Sequence, residues 1–554
     1  MMFRYFSIVI LLAFTLGCDK NNGGGDSPPP PVPALQVRSA SINGNTGSDL
    51  NNVRLKPIIR FSFSAPVNKA TVTTALSFTN SLAQAVSHSL QWSNGDSVML
   101  LQPTDALKGL EKYAVFISNQ LKSVAGGSLS GSAEVRFTSG IDSVRKFPAI
   151  TNDSLLSLIQ KQTFKYFWDF GHPISGLARE RNSSGDVVTS GGSGFGIMSI
   201  VTAVNRGFIT RQQGVARMNI ITDFLLNKAQ RFKGAFPHWM NGITGVVVPF
   251  SANDNGADLV ETSFLAMGLL TARQYFDGAT PAETTIRNRI NTIVDGIEWN
   301  WFRKSNENVL YWHWSPDRGW AINLKIQGWN ECLVTYVLAA SSKNYSIPDT
   351  VYNKGWARDG NMRNGKSFYG LVLPLGEDFG GPLFYSHYSF LGINPNGLTD
   401  QYANYWSQQV AHTKINYNHS VQNPNGWFGY SDSSWGLTAS DIPNGYTASS
   451  PTNDRGVLAP TAAISALPYA PQESMKAIHF FYYTLGDRLW KEYGFIDAFK
   501  LSDPWFASSF LAIDQGPQIV MIENYRSKLL WNLFTSCPEV KDGMKKMGFS
   551  APYL

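Results

Sequence analysis

A dense set of carboxylates lies in the stretch from Asp254 to Phe264, which reads Asp-Asn-Gly-Ala-Asp-Leu-Val-Glu-Thr-Ser-Phe. Asp254, Asp258 and Glu261 are spaced i, i+4 and i+7, which places side chains on one face of a helix. The rest of this predicted helix is strongly apolar and should be buried. Because unpaired carboxylates are costly to bury, we expect the acidic face to look into water, a partner or a substrate cavity. Carboxyl groups in a cavity are suited to general acid and base chemistry.

A structural interpretation of the same three residues remains open. Asp258 has the residue type and position of an N-cap, and Glu261, three residues later, would be its capping-box partner. Asp254 would then be a turn residue. The two interpretations can coexist, since a helix N-terminus also stabilises carboxylates that face a cavity.

A further carboxylate, Glu331, interrupts an apolar run that begins at Trp329 and continues beyond Leu333. Burial in such surroundings predicts a raised pKa, which suits a general acid. The alternative is a buried Glu paired with an Arg or Lys.

The segment from Ala512 to Tyr525 carries two more acidic residues. Asp514 is expected just before an apolar helix, either as its cap or as a site residue, and Pro517 fits the first helical turn. Glu523 is expected to have a structural role, paired with Arg526 at i+3.

Aromatic residues are unusually abundant, with 16 Trp and 22 Tyr in 554 residues. They serve either a large core or a carbohydrate site, where flat rings stack on sugars. Several lie in loops together with small polar groups, the combination that a hydroxyl-rich ligand requires. The candidate substrate-binding residues from these clusters are His238, Trp239, Trp312, Trp329, Tyr385, His387 and Trp427, together with Asp254.

These residues must be positioned by a helical C-terminal region with long loops, at 232–256 and 357–398. Many paired helices in about 400 residues indicate a helical barrel or toroid. Helices are predicted from Asn152 and near 194–206, 211–230, 257–276, 281–302, 325–341, 399–411, 455–467, 471–485 and 515–534.

The N-terminal part differs in composition and pattern. Residues 1–18 are typical of a lipoprotein signal peptide, whose apolar run is too short to span a bilayer and ends in Thr-Leu-Gly-Cys18. Cys18 would be the lipidated residue; an ordinary secretory peptide with an incidental Cys is the alternative. Residues 19–34 are predicted to be a flexible tether. Short alternating strands over 35–142 predict a β-sandwich that resembles bacterial immunoglobulin-like domains.

Several function classes are disfavoured. The net charge of +6 has no basic run, so nucleic acid is not an expected partner. No P-loop, dinucleotide fingerprint or Gly-x-Ser-x-Gly elbow is present. The remaining cysteines, Cys332 and Cys537, are expected to be buried thiols, with a disulfide left open. No motif requires a cofactor or metal, although acidic loops could hold a structural cation.

Six motifs, in order over residues 150–554, resemble the glucoamylase-like proteins of Bacteroidota, which are grouped with the β-1,2-glucanases of glycoside hydrolase family 144. The motifs are Asp258-Leu-Val-Glu-Thr262, Gly328-Trp-Asn-Glu331, Leu383-Phe-Tyr-Ser-His-Tyr-Ser-Phe390, Gly436-Leu-Thr-Ala-Ser-Asp441, Ala459-Pro-Thr-Ala-Ala463, and Asp514-Gln-Gly-Pro517 through Glu523-Asn-Tyr-Arg526.

The resemblance implies an (α/α)6 barrel over 150–554, with a glycan cleft at one end, that hydrolyses β-1,2-linked glucan with inversion. It implies Glu331 as general acid and Asp514 as general base, although Asp258 would serve equally well as the base. Asp258 and Glu261 would bind sugar or orient water, and Asp254 would belong to the same acidic cleft. Inversion requires two carboxyls roughly 6.5–9.5 Å apart.

We therefore expect an exported, lipid-anchored, monomeric glycoside hydrolase that acts on β-1,2-glucan or its oligosaccharides, in the periplasm or at the cell surface. A glucoamylase-like hydrolase of another glucan and a non-catalytic glycan-binding lipoprotein are the alternatives. A polysaccharide lyase on a helical toroid is a further enzymatic rival.

Overall fold

The computed structural model describes residues 30–47 and 49–554. The predicted signal peptide, Cys18 and most of the predicted tether lie outside the described residues. Within them, no helix combines the length and apolar character needed to cross a membrane. The described chain divides into two compact units. The first runs to Leu107 and includes Lys112–Thr138, and the second comprises Lys108–Glu111 and Ser139–Leu554.

The first unit is strand-rich, as its alternating sequence predicts. Two four-stranded antiparallel sheets have the orders β1-β3-β6-β5 and β2-β8-β7-β4. Alternate residues of each strand point inwards, so Phe61 and Leu101 of one sheet share a buried core with Val115 and Phe137 of the other. The elements are β1 (Val37–Ile42), β2 (Leu50–Val53), β3 (Ile59–Phe63), α1 (Val72–Ala75), β4 (Leu76–Asn80), β5 (His88–Ser93), β6 (Val98–Pro103), β7 (Lys112–Ile117) and β8 (Ala133–Ser139).

The second unit is mainly helical. Its helices are α2 (Asn152–Trp168), α3 (Ser190–Asn205), α4 (Arg211–Asn227), α5 (Leu259–Tyr275), α6 (Pro281–Asp295), α7 (Leu333–Ser341), α8 (Asp349–Val351), α9 (Phe384–His387), α10 (Tyr405–Gln422), α11 (Pro460–Ser465), α12 (Pro471–His479), α13 (Gly486–Leu489), α14 (Ala512–Ser527), α15 (Leu529–Thr535) and α16 (Pro538–Lys546).

A short three-stranded sheet, β11-β10-β9, and several two-stranded sheets lie in the loops between these helices. They are formed by β9 (Val187–Thr189), β10 (Trp239–Asn241), β11 (Val247–Val248), β12 (Ala257–Asp258), β13 (Leu310–Tyr311), β14 (His313–Trp314), β15 (Lys325–Ile326), β16 (Ser367–Phe368), β17 (Leu371–Val372), β18 (Ala439–Ile442), β19 (Gly445–Ala448), β20 (Trp490–Lys491), β21 (Gly494–Phe495), β22 (Phe499–Lys500) and β23 (Trp505–Phe506).

Several predicted helix boundaries are wrong, and two of them have a clear local cause. The helix expected over 325–341 begins only at Leu333, because Gly328 has φ +79° and residues 329–332 form a turn. The helix expected over 399–411 begins at Tyr405, where Asn404 caps it through the amide of Ser407, and it continues to Gln422.

The centre of the unit is formed by α3, α5 and α14, which are buried over most of their length. Glycines allow this close packing. A Cβ on Gly194 would lie 2.1 Å from the carbonyl oxygen of Phe264, and one on Gly516 would lie 2.4 Å from Cβ of Phe195. Cys332 and Cys537 are free, buried thiols.

Candidate active site

Asp258 is the N-cap of α5. Its Oδ1 accepts hydrogen bonds from the amides of Val260 (3.0 Å) and Glu261 (2.9 Å), and its side chain is fully buried. The prediction that Asp258 caps the helix is therefore confirmed, whereas the predicted capping box is absent. Glu261 does not close a capping box, because the Asp258 amide donates to the carbonyl of Phe236.

The expectation that Asp254, Asp258 and Glu261 share a helix face is wrong, because α5 begins only at Leu259. Asp254 lies in the preceding loop, bridged to Ser251. Two histidines, His238 and His313, nevertheless contact carboxylates of this group. Asp258 pairs with His313 across β12 and β14, and Nε2 of His313 lies 3.5 Å from Oδ2 of Asp254 and 3.5 Å from Oδ2 of Asp258.

His238 completes this group, with its Nδ1 3.1 Å from Oδ2 of Asp258. Burial alone would lower the pKa of His238, but the charge of Glu261 and the hydrogen bond to Asp258 raise it to about 9. Burial would raise the pKa of Asp258, but hydrogen bonds from His238 and His313 hold it well below its usual range. Burial and the charge of Asp258 raise the pKa of Asp254. Asp258 is therefore ionised at neutral pH.

Glu261 lies in the first turn of α5 and reaches the N-terminus of α3. Its Oε2 accepts from the amide of Gly191 (2.8 Å) and lies 3.4 Å from the hydroxyl of Thr189. A Cβ on Gly191 would lie 2.4 Å from that oxygen, so only glycine leaves room for the carboxylate. Burial nevertheless raises the pKa of Glu261.

Glu331 lies in the turn before α7 and is 8% exposed. Ser389 fixes this turn, since its hydroxyl donates to the carbonyl of Glu331 and accepts from the amide of Val334 (2.9 Å). Burial raises the pKa of Glu331 to about 7, and the charges of Glu261 and Asp258 add to the effect. No cation pairs with the Glu331 carboxyl in the part of the chain that the structure describes, which removes the ion-pair alternative.

Asp514 is the third residue of α14, where Leu511 is the N-cap, so the expectation that it precedes or caps the helix is wrong. Pro517 lies in the second turn and not in the first. The Asp514 carboxyl is 2% exposed and faces Asp497, a residue that sequence reasoning missed. Burial and this neighbour raise the pKa of Asp514 well above its ordinary value.

Tyr388 lies near both acidic groups. Burial raises the pKa of its hydroxyl, and the charges of Asp514, Glu331 and Glu261 all contribute. The ring packs against Phe195 of α3, at a centroid distance of 5.3 Å. The carboxyls of residues 261, 331 and 514 therefore all lie near enough to one buried tyrosine to raise its pKa.

The predicted aromatic residues fall into two sets. The ring of Trp239 lies against Phe250, with 4.8 Å between the centroids. Phe250 also stacks on His238 at a centroid distance of 4.4 Å. Trp312 stacks on His313 at 5.6 Å. Trp239, Trp312 and Tyr385 are half-buried beside the carboxyls, and burial and Glu331 raise the pKa of Tyr385.

The remaining candidates lie elsewhere. His387 is 2% exposed, and burial lowers its pKa to about 3, so it is a neutral core residue. Trp329 is buried against Phe390 and Tyr405. Trp427 stacks with Lys500 (4.7 Å), and none of its ring contacts or hydrogen bonds within the described residues reaches the acidic group.

A family model described as "Putative glucoamylase" matches residues 323–538, and a "Bacterial Ig-like domain" model matches residues 34–139. A protein from Bacteroides uniformis described as a putative glucoamylase is 53% identical to this chain. The match covers 74% of this chain and 100% of that one, and the TM-score is 0.73. The chain belongs to the glucoamylase-like family.

Two relatives of this glucoamylase-like protein carry names that state an activity. An endo-β-1,2-glucanase from Chitinophaga pinensis is 48% identical, over 73% of this chain and 100% of that one, with a TM-score of 0.72. An exo-β-1,2-glucooligosaccharide sophorohydrolase from Parabacteroides distasonis is 45% identical over 420 residues, 72% of this chain. The match spans 58% of the length of that relative.

The glucoamylase-like unit also contains residues that the sequence did not mark for the site. Asp441 lies in a motif quoted above and contacts both Arg181 (3.4 Å) and the hydroxyl of Ser509 (2.5 Å). Only the three-dimensional neighbourhood identifies Asp497. Glu523 has a structural role through another partner than predicted: it pairs with Arg206 (2.6 and 2.9 Å), and Arg526 binds elsewhere.

Three side chains of the glucoamylase-like site lie close enough together to be considered as ligands of a metal cation. One ligand atom each from His238, Asp254 and Asp258 lies within 4.8 Å of the others. With its pKa raised to about 9, His238 is protonated at neutral pH and bonded to Asp258. A cation there would have to displace this proton, so the residues fit a hydrogen-bonded group better than a metal site.

Proposed function

We propose that this protein hydrolyses β-1,2-glucan or its oligosaccharides. The observation that carries the proposal is Glu331, a buried carboxyl with a pKa of about 7, no cation to pair with in the described chain, and an ionised Asp258 nearby. A carboxyl that stays protonated near neutral pH can give its proton to a glycosidic oxygen. The names of the Chitinophaga and Parabacteroides relatives support the β-1,2 linkage.

In the proposed inverting reaction, Glu331 is the general acid and Asp514 is the general base. The proton of Glu331 passes to the leaving glycosidic oxygen, while water attacks the anomeric carbon and loses its proton towards Asp514. Asp258 stays ionised and, with Asp254 and Glu261, binds sugar hydroxyls or orients the water.

Aromatic side chains near these carboxyls could bind the sugar rings of the substrate. Trp239, Trp312 and Tyr385 are half-buried rings beside the carboxyls, so each offers a face on which a glucosyl unit can stack.

An (α/α)6 barrel is the fold that we propose for residues 150–554. Helices with an exposed face alternate along the chain with helices that are almost wholly buried: α2 is followed by α3, α4 by α5, and α6 by α7. The buried segment around α9, and α11 and α14, continue the alternation. Such alternation is what an inner and an outer ring of helices requires.

Export is also part of the proposal. The apolar run and Cys18 support processing as a lipoprotein, with residues 19–34 as the tether, the β-sandwich as a spacer, and a monomeric enzyme in the periplasm or at the cell surface. Labelling with a radioactive fatty acid tests the anchor: wild-type protein should carry label and Cys18→Ser should not. Equal labelling of both would overturn it.

The activity is tested by incubating the full chain with β-1,2-glucan, measuring reducing ends and separating the products by chromatography. We expect oligosaccharide release by wild type and by Glu492→Gln, an exposed control of the same chemistry, but not by Glu331→Gln.

Two results would reject the proposal. Absence of turnover on a panel of glucans, with glucan binding equal in wild type and Glu331→Gln, would indicate a binding protein instead. Unsaturated products that absorb in the ultraviolet would indicate a lyase.

A further inference from the structure

A cavity of about 610 Å³ lies in the helical unit, and its lining includes none of the carboxyls assigned above to the acid, the base or sugar binding. Its walls come from three segments: residues 181–183, the hairpin of β18 and β19, and residues 505–509. The volume falls within the roughly 300–1,000 Å³ that is usual for sites of small ligands. The cavity therefore has the size of a binding site.

Asp441 fixes the walls of this cavity relative to one another. Its carboxylate accepts from the hydroxyl of Ser509 (2.5 Å) and pairs with the guanidinium of Arg181 (3.4 Å). Asn182 adds a second connection, because its side-chain amide donates to the carbonyl of Ser508 (3.0 Å). These bonds are made within the protein, so the cavity is formed before any ligand enters.

Two aromatic rings line the cavity without a ring partner. Tyr446 is 49% exposed, and Trp505 is half-buried. Neither ring stacks on another aromatic ring or on a cation among the described residues. Both faces are therefore open to the flat C–H surface of a sugar ring.

The polar groups of the cavity suit a neutral ligand that is rich in hydroxyls. The side-chain hydroxyls of Ser183 and Ser508 make no hydrogen bond to another described residue. Arg181 is the positive charge of the lining, but it is already bound by Glu180 (3.0 Å) and by Asp441. An anionic ligand would have to compete with these carboxylates, whereas a sugar hydroxyl can donate to them.

The cavity lies beside the start of the helix that carries the proposed base. This helix, α14, begins at Ala512 and has Asp514 in its first turn. The wall formed by residues 505–509 leads directly into α14. The amide of Ala512 also donates to the carbonyl of Glu180 (2.9 Å), which precedes the wall formed by residues 181–183. A glucan chain at the proposed base therefore has the cavity as a neighbouring place for another of its units.

We propose that this cavity is an outer subsite, which binds a glucosyl unit of the β-1,2-glucan chain away from the bond that is cut. Trp505 and Tyr446 are its stacking surfaces, and Asp441 and the free serine hydroxyls bind the hydroxyls of the sugar. The inference rests on the proposed hydrolysis and deepens it. A unit bound away from the reacting bond is held alike in the ground state and the transition state, so the subsite sets KM for longer chains and not kcat.

The first test is steady-state kinetics on β-1,2-glucooligosaccharides of increasing length. Tyr446→Ala and Trp505→Ala should each raise KM for long chains by about tenfold with kcat preserved, and Trp505→Phe, which keeps a ring, should retain most of the affinity. The shortest oligosaccharide that wild type cleaves does not reach the cavity, so its KM should stay unchanged.

Tyr525→Ala is the matched control for this test. It truncates a tyrosine of α14 that is 44% exposed and lies outside the cavity lining, and it should keep the wild-type KM at every chain length. Long-chain kinetics of both cavity variants equal to wild type, or an equal rise in KM at every length, would overturn the proposal.

The second test needs no turnover. Calorimetry measures the binding of a long β-1,2-glucooligosaccharide to Glu331→Gln, alone and combined with Tyr446→Ala or with Tyr525→Ala. We expect Tyr446→Ala to weaken the affinity by about tenfold and Tyr525→Ala to leave it unchanged. The affinity should be the same at low and high salt, because a neutral sugar forms no ion pair; binding that weakens with salt would contradict the neutral ligand.

These measurements separate the subsite from the proposed function. If wild type hydrolyses no glucan but Tyr446→Ala weakens oligosaccharide binding, the proposed function fails and the cavity stands as a glucan-binding site. If wild type hydrolyses β-1,2-glucan and neither KM nor affinity changes in the cavity variants, the function stands and the subsite is refuted.

Discussion

Glu331→Gln should stabilise the protein at alkaline pH while it abolishes activity. Burial raises the pKa of this carboxyl from its ordinary value of 4.5 to about 7. At about 1.4 kcal/mol for each pKa unit, the difference corresponds to roughly 3 kcal/mol. Because the folded state favours the protonated form, the penalty is absent below pH 4.5, grows between pH 4.5 and 7, and is full above pH 7.

Glutamine has the same shape and no charge to bury, so the variant avoids this penalty. Unfolding entropy is about 2 cal/mol/K per residue, so a unit of about 400 residues should gain roughly 4 °C in Tm at pH 8. At pH 4.5 the two Tm values should coincide. The loss of a general acid should lower kcat by about 10²- to 10⁴-fold.

The assay is thermal unfolding followed by circular dichroism at pH 4.5, 6, 7 and 8, together with initial rates on β-1,2-glucan. Loss of one partner of a buried ion pair would instead destabilise the variant at pH 8, by about 3–5 kcal/mol. A lower Tm of Glu331→Gln at pH 8, or full activity, would therefore refute the account of Glu331 as a buried, protonated acid.

Three further outcomes follow from other contacts. Gly191→Ala places a Cβ 2.4 Å from Oε2 of Glu261, so it should displace this carboxylate. We expect kcat to fall by about 10²-fold in steady-state assays. An unchanged kcat would show that the position of Glu261 is unimportant. Glu523→Gln should lower the free energy of unfolding in urea by about 3–5 kcal/mol because it leaves Arg206 unpaired, with kcat per folded molecule preserved; an unmoved midpoint would contradict this. His238, whose pKa rises from 6.5 to about 9, stabilises the fold fully below pH 6.5 and loses this effect as the pH passes about 9. His238→Gln should therefore show a flatter Tm profile between pH 6.5 and 9, and identical profiles would disprove the pairing.

Local sequence predicted much of the site, although not always for the right reason. The apolar residues around Glu331 predicted its raised pKa, because burial alone shifts a carboxyl in that direction. Asp258 was predicted as a cap and is one. The helix-face argument for Asp254 failed, because the residue lies outside the helix and is brought to Asp258 by His313 from another strand.

Other features required the tertiary structure. Glu523 has a plausible local partner at i+3, but a bidentate contact with Arg206, 317 residues away, is geometrically better. Asp497 stands in no pattern that marks chemistry, and only the tertiary structure buries it near Asp514.

The sequence by itself determined the long helices, the strands of the N-terminal sandwich and the acidic and aromatic residues available for chemistry, because periodicity, capping and hydrophobicity act over a few residues. The tertiary structure decided which carboxyls meet and which are ionised. Charge state depends on desolvation and on neighbours at a few ångströms, and for Asp258, Glu331 and Asp514 those neighbours come from distant parts of the chain.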